Sequence, residues 1–196
     1  MADFKIYAYT NHDLRSTPRY HESYQVLCKN KACYQCDYFS YLGSMQTTQI
    51  TDLANEEQSL IFEQKKQVGE RLVEVHNLDQ ELVGFIVGNS ILDADKQLLA
   101  KVVDPASTAK KLIKNMANMD PNEFYIENET GDRLAEFKRP APPKGSPLVK
   151  LAKVVFAGLT SKETEIFQLG ITSWGHNPAL LIMLVLLKYQ ARNQDI

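Results

Sequence analysis

The sequence predicts a mainly β protein in which short antiparallel strands surround one enclosed helix. Three observations carry this prediction: a fully apolar stretch near the C-terminus, a repeated strand–turn–strand pattern, and tight turns that recur at regular spacing. Short strands joined by such turns favour an antiparallel sandwich or barrel.

The enclosed helix is predicted over residues 177–190. Asn177 is a good N-cap residue, and Pro178 suits the first helical position, where no backbone N–H is needed. Residues 179–187 leave no polar face, so the helix must be covered on all sides. A bilayer span needs about 20 apolar residues, roughly twice this run, so we predict a core helix and no transmembrane segment. The core positions expected to matter most are Pro178, Leu181, Leu184 and Leu187.

The strand signal is clearest after Ser59, because one pattern occurs twice. Residues 62–75 and 124–137 align at a shift of 62 positions, which places Gly69 opposite Gly131. Each segment predicts a hairpin whose turn glycine takes a positive φ. Further strands are expected at 4–8, 24–28, 38–42, 81–87, 97–103, 148–159 and 164–174.

Two segments interrupt the strands. Residues 106–119 predict one helix on the surface of the sheet, with Ser107 or Thr108 as N-cap and a modest apolar face. Residues 140–147 contain four prolines and predict an exposed linker.

Composition and charge bound the class of protein. The net charge of −2 over 196 residues gives no global attraction to nucleic acid, and we predict no nucleic-acid partner. The first residues lack the apolar region of a signal peptide, and three cysteines are an odd number. A reducing, cytoplasmic location is therefore expected, with peripheral attachment to a membrane as an open alternative.

Three segments follow one another in a distinctive order: 124–128 with Gly131 and Leu134, then 169–174 ending in Trp174, then the apolar helix. This order resembles the tubby-like C-terminal fold, in particular its scramblase and LURP-one-related types. The resemblance implies a closed antiparallel barrel of about twelve strands around a central hydrophobic C-terminal helix. It assigns residues 56–196 to the barrel and leaves 1–55 as an N-terminal extension that packs on it or contributes strands.

One departure limits what this resemblance implies about activity. Scramblases carry an acidic calcium-binding segment between the tryptophan strand and the helix. In this chain only Gly175, His176 and Asn177 separate Trp174 from Pro178. The resemblance therefore does not extend to a calcium-triggered activity.

The cysteines form the only cluster whose spacing is typical of metal ligands. Cys33 and Cys36 are three positions apart, Cys28 precedes them, and His21 lies seven residues upstream of Cys28. Thiolates at this spacing can hold one zinc ion, with His21 or Asp37 as fourth ligand. The alternatives are three buried reduced cysteines, a redox pair or a lipid-modified thiol. No other cofactor is predicted.

Basic residues form the second candidate site. Clusters occur at Lys65–Lys66, at 110–114 and at 138–144, and anionic headgroups would bind if the fold brought two of them together. Solvated loops and helix faces are the alternative. The residues concerned are Lys110, Lys111, Lys114, Lys138 and Arg139.

These observations favour a non-enzymatic binding or scaffold protein. The resemblance implies association with anionic phospholipid headgroups or a membrane-apposed protein partner. The second hypothesis is a cytosolic protein-interaction module whose N-terminal segment is stabilised by zinc. The third is a small-molecule carrier or hydrolase with a pocket at the barrel mouth. No nucleophile motif or phosphate-binding loop is present.

Overall fold

The computed structural model describes residues 2–9, 20–40, 46–65, 71–103, 123–138 and 164–193. A short 3-10 turn at Glu56–Gln58 joins two strands, and the helix α1 (Pro178–Asn193) closes the chain. The strands in chain order are β1 (Ala2–Tyr9), β2 (Tyr20–Cys28), β3 (Lys31–Ser40), β4 (Gln46–Asp52), β5 (Leu60–Lys65), β6 (Leu72–His76), β7 (Leu82–Val87), β8 (Ser90–Asp93), β9 (Leu98–Val103), β10 (Glu123–Glu127), β11 (Arg133–Lys138) and β12 (Thr164–Ile171).

The twelve described strands form one closed antiparallel barrel around α1. Each strand pairs with its neighbours in sequence, and β1 closes the barrel by pairing with β12. The predicted fold class is confirmed. Closure leaves no unpaired sheet edge. Strands β1 to β4 belong to the closed ring, so residues 2–52 contribute strands to the barrel.

The helix α1 fills the interior, as its sequence predicts. Every residue from 179 to 187 is buried, and Leu181 and Leu184 have no exposed surface. Inward-facing residues of the strands pack around it, among them Phe62, Phe137 and Phe167. Large apolar side chains on alternate strand positions thus meet a helix that is apolar all round.

Asn177 fixes the start of α1 and ties it to the barrel wall. Its Oδ1 accepts the backbone N–H of Ala179 at 2.9 Å, which is the capping contact predicted from the sequence. Its Nδ2 donates to the carbonyl of Gln58 at 2.6 Å. Its own carbonyl accepts the indole N–H of Trp174 at 3.1 Å. One side chain therefore joins the helix to the β4–β5 connection.

The repeated pattern corresponds to two hairpins, β5–β6 and β10–β11. Gly131 has φ +88°, as predicted for the turn. Two strands had no sequence signal: β4 is rich in glutamine and threonine, and β8 has four residues. The predicted helix at 106–119, the linker at 140–147, the strand at 148–159 and the Gly69 turn lie outside the described residues.

Within the described residues, no helix has both the length and the hydropathy that a membrane span requires.

Leu184→Asp tests the enclosed helix. The substitution places an unpaired charge where no water reaches, at a cost of several kcal/mol. Because domains are stable by only about 5–15 kcal/mol, we expect soluble expression to collapse. Leu78→Asp is the matched control, since Leu78 is 43% exposed in the β6–β7 turn. A folded Leu184→Asp protein would contradict the central position of α1.

Candidate functional site

Inside the barrel, the described residues present little polar chemistry. The buried polar side chains among them are Thr48, Asp52 and Ser59. Asp52 and Ser59 stabilise the β4–β5 connection: the Ser59 hydroxyl accepts the Asp52 N–H at 3.1 Å, and Asp52 Oδ1 accepts the Ala54 N–H at 2.8 Å. Most polar and charged side chains of the described residues therefore lie on the outside of the barrel.

The antiparallel topology sorts the connections between strands onto two ends. Even-numbered strands finish at one end, which we call the acidic end. Its connections hold two lysines against seven aspartates and glutamates, a net charge of −5. These connections are residues 29–30, 53–59, 77–81, 94–97, 128–132 and 172–177.

Odd-numbered strands finish at the opposite end, which we call the basic end. The connections that start there hold twelve lysines and arginines against five aspartates and glutamates, a net charge of +7. Most of them lie outside the described residues, but the strand ends fix where each leaves the barrel. They are residues 10–19, 41–45, 66–71, 88–89, 104–122 and 139–163.

All three basic clusters predicted from the sequence belong to the basic end. Lys65 is the last residue of β5, and Lys138 is the last residue of β11. Lys110, Lys111, Lys114 and Arg139 lie outside the described residues, in connections that start where β9 and β11 end. The segments that hold these clusters thus start from strand ends at one end of the barrel.

Three turns at the acidic end share one hydrogen-bond pattern, and several of their acidic side chains take part in it. In each, the first residue accepts the backbone N–H four positions later through its Oδ1 at 2.8 Å; these residues are Asn77, Asp93 and Asn128. The fourth residue has a positive φ in all three turns. Asn77 and Asn128 also donate to the carboxylates of Glu81 and Asp132 at 2.9 and 3.0 Å. These acids stabilise turns.

A groove of about 310 Å³ lies on the outer wall where β12 runs between β1 and β11. Gly170 pairs with Asp3 on one side and with Glu136 on the other. Two residues along, Gln168 pairs with Lys5 and with Lys138. Since inward-facing Leu169 and Ile171 flank Gly170, the glycine faces outward and leaves its position without a side chain.

The charges of this groove form two rows. The lysine row is Lys5, Gln168 and Lys138; the acid row is Asp3, Gly170 and Glu136. Among the described residues, neither lysine forms an ion pair. Glu136 meets Arg133 at 3.9 Å, and both side chains are about half exposed, so this contact is weak. Within the described side chains, Lys5, Lys138 and Asp3 have no ion-pair partner, which is what a charged ligand would supply.

Among the described side chains, the three cysteines do not form a group of ligand atoms within metal-binding distance of one another. Cys36 points into the barrel and is fully buried, and burial raises the pKa of its thiol well above the usual range. Cys33 lies in a bulge between β2 and β3 and donates its S–H to the Val26 carbonyl at 3.1 Å. Burial raises the pKa of Cys33 to about 11. Cys28 ends β2, and the side chain of His21 lies outside the described residues.

A different group of metal-ligand type lies on the outside of the β5–β6 hairpin. Ligand atoms of Glu63, Glu74 and His76 lie within 4.8 Å of one another. The Lys65 ammonium sits between the two carboxylates, 2.9 Å from Glu63 and 3.1 Å from Glu74. The hydrogen bond from Lys65 lowers the pKa of Glu74. A lysine thus occupies the position that a cation would take.

Sequence reasoning missed both the groove and the glutamate–histidine group. The hairpin prediction contained the second, because its register places Glu63 opposite Glu74, and His76 follows two residues later on the same face. The groove had no local signal, since β1 lies at the other end of the chain from β11 and β12 and meets β12 only when the barrel closes.

No family model, no curated protein and no solved structure matches this chain.

Thiol labelling at pH 8 tests the assignment of the cysteines. The thiolate reacts, so a raised pKa and burial both slow labelling. We expect Cys36 to react only after unfolding and Cys33 to react slowly in the native protein. The Cys36→Ala variant should lose one labelled thiol when unfolded and none when native. Rapid labelling of all three native thiols would contradict the structure.

Elemental analysis of protein purified without a polyhistidine tag separates the zinc hypothesis from the others. We expect no stoichiometric zinc, because Cys36 is fully buried and Cys33 donates its proton to a carbonyl. About one zinc per chain, with loosening of β2 and β3 on chelation, would restore the zinc hypothesis.

Lys65→Ala tests the interpretation of the glutamate–histidine group. Removal of the ammonium leaves two carboxylates and an imidazole, a set that suits Zn²⁺. We expect the variant to bind Zn²⁺ more tightly than the unchanged protein in calorimetry, and the addition of Glu74→Gln to abolish the gain. Equal affinities with and without Lys65 would show that the lysine does not compete for this position.

Proposed function

We propose that this chain is a non-enzymatic binding or scaffold protein of the tubby-like, scramblase-related class, and that its basic end rests on anionic phospholipid headgroups. The observation that carries the proposal is the topology. Strands β9 and β11 end on the same side of the barrel, so the segments that hold two separate basic clusters start from one end.

The connections at the two ends of the barrel differ in charge, which would orient the protein on a charged surface. The connections carry +7 at one end and −5 at the other, although the whole chain carries only −2. Each lysine or arginine near an anionic surface contributes about 1 kcal/mol, and the attraction falls off within a Debye length. An anionic membrane would therefore attract the basic end and repel the acidic end.

The filled interior favours a binding role over an internal active site. Helix α1 occupies the space in which a barrel of this size would hold a ligand, and the described buried residues offer few polar groups. The twelve-strand barrel with a central helix also agrees with what the tubby-like resemblance implies. Fold alone does not fix function, so the proposal that the protein binds lipid headgroups rests on the charge distribution.

Vesicle sedimentation tests the proposal. We expect the protein to bind phosphatidylglycerol vesicles at low salt and to be released as salt rises. Lys110→Glu with Lys111→Glu should weaken binding by at least roughly 30-fold, from about 1 kcal/mol for each lysine removed.

The matched control reverses two lysines at the acidic end, Lys29→Glu with Lys96→Glu, and changes the net charge by the same amount. It should bind nearly as well as the unchanged protein. If both pairs of substitutions weaken vesicle binding equally, binding depends on net charge alone and not on the basic end. If the unchanged protein does not bind at low salt, the lipid proposal is rejected in favour of a protein partner.

A further inference from the structure

We propose that the groove between β1, β12 and β11 binds a phospholipid headgroup that carries a primary ammonium beyond its phosphate, as phosphoethanolamine does. The inference rests on the proposed function and adds to it the chemistry of the headgroup. The phosphate lies on the lysine row, and the ammonium lies on the acid row.

The lysine row suits a phosphate. Lys5 and Lys138 are exposed and pair with Gln168 from the two strands that flank β12, so two lysines border the same stretch of the groove. The neighbour of Lys5 on β2 is the apolar Leu27. Lys138 faces Glu123 across β10, and the Glu123 side chain lies outside the described residues. Lysine ammonium groups bind phosphate as compact point charges.

The acid row suits a small ammonium. Asp3 and Glu136 flank Gly170, and the missing side chain leaves a hollow between two carboxylates. Gly170 lies between the two carboxylates and supplies no counter-charge. A primary ammonium supplies that counter-charge and three N–H donors. A trimethylammonium group is larger and has no N–H donor.

The direction of the rows matches such a headgroup. The rows are two residues apart along β12, about 7 Å at roughly 3.4 Å per residue. Lys138 ends β11 at the basic end, and Glu136 precedes it on the side of the acidic end. In a headgroup entering from a membrane at the basic end, the phosphate comes first and the ammonium second. The groove presents its charges in the same order.

The test compares three sets of vesicles: phosphatidylglycerol alone, and phosphatidylglycerol mixed with an equal share of phosphatidylethanolamine or of phosphatidylcholine. The two mixtures have the same surface charge and differ in the headgroup amine. We expect about two- to fivefold tighter binding to the ethanolamine mixture, the range that exposed ion pairs give. Free phosphoethanolamine should remove this preference, and methyl phosphate should not.

Two variants locate the preference in the groove. Asp3→Asn with Glu136→Gln should abolish it, whereas the charge-matched control, Glu56→Gln with Glu57→Gln in the 3-10 turn, should keep it. Gly170→Thr fills the hollow without a change of charge, and it should also abolish the preference while binding to phosphatidylglycerol persists.

The outcomes separate the inference from the proposed function. Binding to all three vesicle sets with equal affinity would overturn the groove assignment and leave the proposed function standing. A preference that survives both groove variants would also overturn it. Absence of binding to every vesicle set would reject the proposed function, and the inference that rests on it would fall with it.

Discussion

The enclosure of α1 is the constraint on which the rest of the structure depends. A helix with no polar face from 179 to 187 is stable only if apolar side chains cover it on every side. A flat sheet covers one face of a helix, whereas a closed barrel covers all of them. Closure requires β1 to pair with β12, and this pairing brings the first and last strands of the chain together. Asn177 then fixes the depth of the helix by joining its first turn to the carbonyl of Gln58.

Because α1 fills the core, the charged side chains of the described residues lie at the ends and on the outer wall. Strands in simple up-and-down order start alternate connections from opposite ends, so the order of charged segments along the chain decides from which end each one starts. The direction of the α1 dipole is consistent with the charges of the two ends. Its N-terminus, where the macrodipole is positive, lies at the acidic end, and the helix runs toward the basic end.

Most contacts of the groove and of the cysteines could not be predicted from the sequence, for identifiable physical reasons. Lys138 was singled out as basic, but its partners Lys5 and Gln168 are set by pairings across a closed barrel. The cysteine spacing suggested zinc because spacing ignores which face of a strand each residue occupies. Cys36 lies on the inner face of β3, and a bulge sets Cys33 apart from it. The Glu63–Glu74 pair was the exception, since it lies within one predicted hairpin.

The sequence by itself determined the elements whose signals are local. An apolar run with an Asn-Pro start specifies an enclosed helix, and alternation around a turn glycine specifies the β10–β11 hairpin. Only the tertiary structure decided which strands meet, because register depends on the summed burial of all inward-facing residues rather than on any one segment. It made β4 a strand with Thr48 and Ile50 inside, despite a polar sequence. It also placed Gly170 between two carboxylates, since β1, which carries Asp3, becomes a neighbour of β12 only when the barrel closes.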